Sequence, residues 1–404
     1  MKAVNHNLLA LAIGALFAVG AAQAQISDGV VKIGVLSDMS SLYADLDGNG
    51  SIVAAQMAAE DFGAAAKGIK VEIISADHQN KPDVGSAVAR QWFDTDKVDL
   101  ITGTTNSGVA LAVNQVTKDK GKAFIVSGAA SSDLTGKACS PNTIHWTYDT
   151  WMLANGTGSA IVKTGGDSWF FITADYAFGH ALERDTEAVV LKSGGKVLGK
   201  VRAPLNTQDF SSYLLQAQAS KSKIIGLANA GGDTRNSIKQ AAEFGIVKGG
   251  QNLAGLLVFI QDVHAMGLNT AQGLIFTETF YWDMNDQTRA FTRRFVQRNK
   301  GIYPSMIHAG VYSGVLHYLK AIEALKSDDG TKVIAKMKEM PTDDPLFGKG
   351  TVRADGRKIH PAYLFEVKKP SESKGEWDLY KTRATIPADQ AFRPLKDGEC
   401  PLVK

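Results

Sequence analysis

The sequence predicts an α/β protein of two lobes, each a doubly wound parallel sheet, joined by a hinge. Three observations carry that expectation. The chain has 404 residues, too many for one typical domain of roughly 100–200. Short apolar runs alternate with helical patterns, as β-α units do. The same alternation then restarts near residue 150.

The first unit reads β-α-β-α-β-α-β, with strands expected at 30–36, 71–75, 99–102 and 123–127. Between them, 48–62 is an Ala-rich helix carrying Ile52, Val53, Met57 and Phe62, and 82–93 is a helix with Pro82 at its start. Val109, Ala112, Val113 and Val116 repeat at helical spacing and place the third helix. The second unit opens with a helix over 151–163. Its strands are expected at 168–173, 196–202, 223–227, 253–258 and 274–277, with helices over 179–192, 210–219 and 233–244. Gly194 and Gly195 stop the first of these helices. Helices follow at 287–299 and 331–340, and Val311, Val315, Tyr318, Ile322 and Leu325 form the stripe of another between them. From Phe347 onward the chain reads as strands and irregular segments. With short crossovers near 146–150 and 277–283, the expected organisation is a leader over 1–24, lobe 1 over 25–147, lobe 2 over 148–277, a return to lobe 1 over 278–357, and a C-terminal segment over 358–404, mostly lobe 2 and tail. Two such sheets facing each other make a cleft at the carboxyl ends of their strands, where open α/β sheets bind ligands.

Composition narrows the function. Hydrophobic residues make up 44% and charged residues 21%, ordinary for a globular protein. The net charge of +3, from 44 basic and 41 acidic residues, argues against a nucleic-acid partner. The leader has Lys2, an apolar stretch over 8–19 and Ala22-Gln23-Ala24, which reads as a cleaved export signal with the mature chain starting at Gln25. The apolar stretch is shorter than the roughly 20 residues a membrane span needs. The two cysteines, Cys139 and Cys400, permit one disulfide in an exported chain. If paired, they close a long loop, worth roughly 3–5 kcal/mol in the chain-entropy picture; two free thiols are the alternative.

Several turns at strand ends are candidates for ligand contact. Gly103-Thr-Thr-Asn-Ser-Gly108 follows a strand and opens a helix. A helix N-terminus offers free N–H groups and partial positive charge, so Asn106 and Ser107 suit either a carboxylate site or a plain helix cap. Ser127-Gly128-Ala129-Ala130-Ser131-Ser132 follows the next strand at the same sheet edge, and the two turns together can clamp one carboxylate. In the second unit, Tyr176 and Phe178 follow one strand and Asn229-Ala-Gly-Gly-Asp233 another, with Asp233 placed as a helix cap. Tyr43 follows the first strand, and Trp151 stands just past the first crossover. For each aromatic, ordinary core packing is the competing explanation.

Catalytic signatures are missing: no G-x-S-x-G elbow, P-loop, H-E-x-x-H or C-x-x-C occurs. The eight histidines show no metal-ligand spacing, so neither metal nor cofactor is expected.

Val31-Lys-Ile-Gly-Val-Leu, Leu42-Tyr-Ala, Ile101-Thr-Gly-Thr-Thr-Asn-Ser and Val126-Ser-Gly-Ala-Ala-Ser, in this order, resemble the periplasmic binding proteins for branched-chain amino acids. Asp175-Tyr-Ala-Phe-Gly, Gln240-Ala-Ala-Glu-Phe-Gly, Ala271-Gln-Gly-Leu and Phe280-Tyr-Trp-Asp continue the resemblance over nearly the whole mature chain. It implies a type I two-lobe fold with three hinge crossovers, a periplasmic location, a monomer, and a non-enzymatic role delivering a small ligand to an inner-membrane ABC permease. It further implies that Ser107 and the turn Gly128, Ala129, Ala130 and Ser131 hold a ligand carboxylate, while Tyr43 and Tyr176 line the side-chain pocket. The family's amino-acid binders neutralise the ligand ammonium with a glutamate of lobe 2. The matching stretch here, 255–261, contains no acid. A carboxylate ligand without an ammonium, hydrophobic or aromatic, is therefore expected. Branched-chain amino acids, with Asp233 or Asp262 as the ammonium partner, and a periplasmic sensor or amide-binding role are the alternatives.

Overall fold

The computed structural model describes residues 26–403, and the expected leader with its cleavage point lies outside them. Lobe 1 is built on a five-stranded parallel sheet of β1 (Val31–Ser37), β2 (Val71–Asp77), β3 (Leu100–Gly103), β4 (Ala123–Val126) and β5 (Thr143–His145), in the order β2-β1-β3-β4-β5. Every residue of β3 and β4 is buried, the pattern of strands covered by helices on both faces. Helix Met306–Leu325 packs beside Gly48–Phe62, which puts the stripe through Val311, Val315, Tyr318 and Ile322 in the core.

Lobe 2 repeats the plan with β6 (Ser168–Ala174), β7 (Lys196–Ala203), β8 (Ile224–Ala228) and β9 (Asn252–Gly255), all parallel in the order β7-β6-β8-β9. In both sheets the strand order reverses beside the first strand. That reversal opens a crevice at the carboxyl ends of β1 and β3 and of β6 and β8.

The run at 253–258 is a strand only as far as Gly255; the chain then turns into helix Ile260–Met266. The run at 274–277 does not extend the parallel sheet. As β10 (Ile275–Glu278) it pairs antiparallel with a hairpin from the C-terminal part of the chain, Ala362–Val367 and Tyr380–Ile386. An apolar run names a strand but not its partner, which here lies almost a hundred residues away in sequence.

The first crossover, between β5 and helix Thr150–Leu153, is tied to a later one near residues 357–361. Arg357 has no exposure; its Nη1 lies 3.3 Å from Asp149 Oδ2 and its Nη2 donates to the Thr147 carbonyl at 2.6 Å. Cys139 and Cys400 form a disulfide that returns the C-terminal tail to lobe 1. Arg393 Nη2 adds a 3.0 Å bond to the Ser132 carbonyl.

Candidate functional site

The loop after β3 is held in an uncommon backbone conformation. Thr104 has φ of 64°, a region β-branched residues avoid. Its N–H and its hydroxyl both donate to the Leu36 carbonyl, at 2.8 and 3.2 Å, which fixes the turn. Asn106 caps the following helix, Ser107–Lys120, accepting from the N–H groups of Gly108 at 2.8 Å and Val109 at 3.1 Å. Ser107 is the first helical residue. Its Oγ accepts from the N–H groups of Ala130 and Ser131 at 3.2 and 3.1 Å, joining the two turns. A hydroxyl that accepts still has its own proton to donate.

The second turn is equally constrained. A Cβ on Gly128 would lie 2.9 Å from Thr105 Cα, so only glycine lets the turns touch. The Tyr148 hydroxyl donates to the Gly128 carbonyl, Thr147 Oγ1 donates to the Ser127 carbonyl at 2.5 Å, and His145 Nε2 lies 2.8 Å from the Ala129 carbonyl. Burial, reinforced by Arg357, drives the His145 pKa well down, so the ring is neutral and its Nε2–H is the donor. Ser131 Oγ accepts from the Asp133 N–H at 3.4 Å and caps the short turn Ser132–Thr135.

These turns form one side of a narrow pocket whose free volume is about 10 Å³, roughly the space of one water, so the two walls stand close together. Lobe 1 contributes Tyr43, Leu46, Thr105, Gly128 and Ala130, and Tyr148 reaches in from the crossover. Lobe 2 contributes Tyr176, Phe178, Ala230, Leu257 and Phe259, all from segments that follow β6, β8 and β9. The lobes meet across it: the Tyr43 and Tyr176 hydroxyls are 2.8 Å apart, and the Phe259 ring stands edge-on to Tyr148 at 5.9 Å between centroids. Burial raises the pKa of all three tyrosines, so they remain phenols. None of the eleven lining side chains carries a charge.

Buried acids stand behind the walls. The Thr105 hydroxyl donates to Asp47, whose pKa burial lifts to about 6 against the bonds from Ser51 and Thr105. Asp233 is lifted to about 7 by burial, against the N–H bonds it accepts. Its Oδ2 takes the Asn206 N–H at 3.1 Å, while its Oδ1 has no hydrogen-bond partner among the described residues. Its charge acts on both Tyr43 and Tyr176.

Among the residues expected at the site, Tyr43, Gly128, Ala130 and Tyr176 line the pocket, and Asn106, Ser107, Ala129 and Ser131 lie in the two turns that form its floor. Trp151 is a correction. The helix it sits on turns Met152 and Leu153 into the core and leaves Trp151 half-buried, outside the lining. Asp233 is a partial one: it lies in the first turn of helix Gly232–Glu243, where Gly231 takes the cap position, and it flanks the lining without joining it. Asp262 is committed within the protein, its Oδ2 accepting from the Phe259 N–H at 3.0 Å and its Oδ1 lying 3.2 Å from Arg235 Nη1. Sequence reasoning missed Leu46, Thr105, Tyr148, Ala230, Leu257 and Phe259. For Tyr148, its place in the first crossover was the available signal.

The sequence profile of the family described as "Periplasmic binding protein" matches residues 30–376. A solved structure of a periplasmic binding protein from Burkholderia mallei is 53% identical, covers 93% of this chain and 100% of its own, and superposes with a TM-score of 0.91. A branched chain amino acid ABC transporter periplasmic ligand-binding protein from Burkholderia xenovorans is 41% identical, with coverage of 93% and 100% and a TM-score of 0.83. An ABC transporter solute binding protein from R. palustris, in complex with benzoate, is 21% identical over 89% of this chain and 97% of its own, with a TM-score of 0.79, a likeness of fold.

Proposed function

Because the chain belongs to the periplasmic binding protein family, and is therefore a solute-binding protein of the ABC-transporter type and not an enzyme, we propose that it captures a small aromatic carboxylate between its lobes for delivery to the permease. The observation that carries this reading is the lining of the pocket: five aromatic rings, no charged side chain, and a floor of two small-residue turns joined by Ser107, whose hydroxyl keeps its own proton to donate. Such a floor suits a carboxylate. Such walls suit an aromatic body, which gains from burial and edge contacts. An ammonium group placed against them without an anion is costly.

In this reading the carboxylate docks first on lobe 1, taking the Ser107 hydroxyl proton and competing with Ser107 for the N–H groups of Ala130 and Ser131. Lobe 2 then rotates down, and Tyr176, Phe178 and Phe259 cover the ring. The ligand favours closure by the contacts it gains only in the closed form. The benzoate complex of the R. palustris protein supports the reading by analogy of fold.

A second reading rests on Asp233. Its Oδ1, without a hydrogen-bond partner among the described residues, lies on a carboxyl whose charge acts on the phenol pair and offers an ammonium a counter-ion, and the B. xenovorans relative is a ligand-binding protein of a branched chain amino acid ABC transporter.

A thermal-shift screen of aromatic acids, aliphatic acids and amino acids separates the two. The bound ligand should stabilise the protein by about 2.7 kcal/mol at a hundredfold excess over its dissociation constant. Benzoate-type acids should shift the wild type, and Ser107→Ala should weaken their binding by about 10- to 100-fold, the loss of a hydrogen bond to a charged group. A shift confined to branched-chain amino acids overturns the aromatic reading in favour of Asp233.

A further inference from the structure

Three charged side chains meet at the edge of the cleft, outside the pocket lining. Asp45 belongs to lobe 1, two residues beyond Tyr43. Arg235 belongs to lobe 2, on helix Gly232–Glu243. Its Nη1 lies 2.5 Å from Asp45 Oδ2 and 3.2 Å from Asp262 Oδ1. The three side chains are graded in exposure: 43% for Asp45, 19% for Arg235 and 0% for Asp262. Asp262 in turn holds the N–H of Phe259, a ring of the pocket wall.

The two ion pairs differ in kind. Arg235 and Asp262 share a lobe, so their pair does not depend on how the lobes stand. A buried carboxylate stripped of its cation is strongly unfavourable, which keeps the guanidinium on Asp262 in any arrangement. Burial already lifts the Asp262 pKa to about 7 even with Arg235 beside it. A guanidinium has donors to spare, so one Arg can serve both acids. The contact with Asp45 exists only when the lobes meet. The backbone beside it is shaped for that approach. Gly231 has φ of 58°, and a Cβ there would lie 3.0 Å from the Tyr43 ring; one on Gly232 would lie 2.7 Å from Leu42. All these contacts join protein to protein, so they favour closure whatever the ligand.

We infer that Arg235 is a positioning residue that latches the cleft: Asp262 holds it ready, Asp45 receives it on closure, and the pair sets the closed population of the protein. By linkage the same factor enters the affinity for every ligand that binds the closed form. The inference does not rest on the aromatic-acid reading, and the experiment that tests it uses no ligand.

Spin labels placed through Lys118→Cys and Lys192→Cys, one exposed site on each lobe, report the distance between lobes by pulsed electron paramagnetic resonance. Both native cysteines are locked in the disulfide, so labelling is selective. Distances are measured without ligand at about 20 mM and about 500 mM NaCl, conditions that leave or screen a half-exposed ion pair. The wild type should show a short-distance component that shrinks at high salt. Asp45→Asn, at a half-exposed site that leaves the fold intact, should lower the closed-to-open ratio about threefold to fivefold and abolish the salt dependence. Arg235→Lys should retain part of the short-distance component, and Arg235→Gln should lose it. Identical distributions for the wild type and Asp45→Asn at both salt concentrations overturn the inference, as does a wild type with no short-distance component at either.

Discussion

Lobe 1 gives the pocket two turns of small residues that work through backbone N–H groups and hydroxyls; lobe 2 gives it Tyr176, Phe178, Leu257 and Phe259. The supports differ as well. The lobe 1 turns are cross-braced by neutral groups: the Ser107 hydroxyl, which accepts, and Thr147, Tyr148 and the neutral His145, which donate. The lobe 2 segments lean on buried acids: Asp262 holds the Phe259 N–H, and Asp233 holds the Asn206 N–H. The contrast separates two tasks. Recognition of charge needs donors fixed before the ligand arrives, so that no reorganisation is lost on binding. Selection by shape needs only a surface that arrives with closure. Lobe 1 has a buried acid behind its turns, Asp47 on the Thr105 hydroxyl, and burial lifts it to about 6, as it lifts Asp233 and Asp262 of lobe 2 to about 7.

The largest effect that sharpens this contrast should come from Gly128→Val. The added side chain starts 2.9 Å from Thr105 Cα, so the turns must separate and the donors lose their common focus. Binding of the screened ligand should fall by more than about 100-fold, the scale of a lost charged hydrogen-bond cluster. Calorimetric titration together with circular dichroism checks it. Normal affinity in a folded variant means the turns do not act together. A smaller effect is expected from Phe259→Ala, which removes a ring from the lobe 2 wall. Affinity for aromatic acids should fall about 10-fold and affinity for short aliphatic acids much less, because the loss is of apolar contact and not of charge recognition. An equal loss for both classes would place Phe259 in general support of the fold and blur the division between the walls.

How much of this was legible follows the same division. The lobe 1 floor was readable because its evidence is local: small polar residues directly after consecutive apolar runs, opening helices. Tyr43 and Tyr176 were found the same way. Leu257 and Phe259 were not, because Gly255-Leu-Leu-Val-Phe reads as one apolar strand, and only the tertiary structure ends that strand at Gly255 and turns the remainder into the cleft. Trp151 erred in the opposite direction. Its position in the chain, just past a crossover, matched a cleft residue, but the helical phase set by the Asp149 cap points its neighbours inward instead. The parallel sheets themselves were legible from periodicity, whereas the antiparallel partner of β10 depends on a pairing that no local pattern encodes.

The smallest effect tests whether lobe 2 rests on its acids. The Asp233 carboxyl has an ordinary value of 3.8 and is raised to about 7 in the folded protein by burial. Between those values the folded state holds a proton that the unfolded state has released, so stability must fall as pH rises across this window. Asp262, also raised to about 7, acts in the same direction, and Asp47 in lobe 1, raised to about 6, does so over a narrower window. Asp233→Asn keeps an oxygen for the Asn206 N–H and removes the titration. The variant should therefore lose less stability than the wild type between about pH 5 and pH 8, with a melting temperature up by about 2 °C at the alkaline end, the scale set by a change near 1 kcal/mol in a chain of this size or somewhat smaller. Asp47→Asn should flatten the profile less, since its window closes earlier and its hydroxyl donors already favour the charged form. Thermal unfolding across that pH range decides it. If Asp233→Asn leaves the slope unchanged while Asp47→Asn flattens it, the acid-dependent wall is the one on lobe 1, and the assignment of a neutral floor to lobe 1 and an acid-backed wall to lobe 2 is reversed.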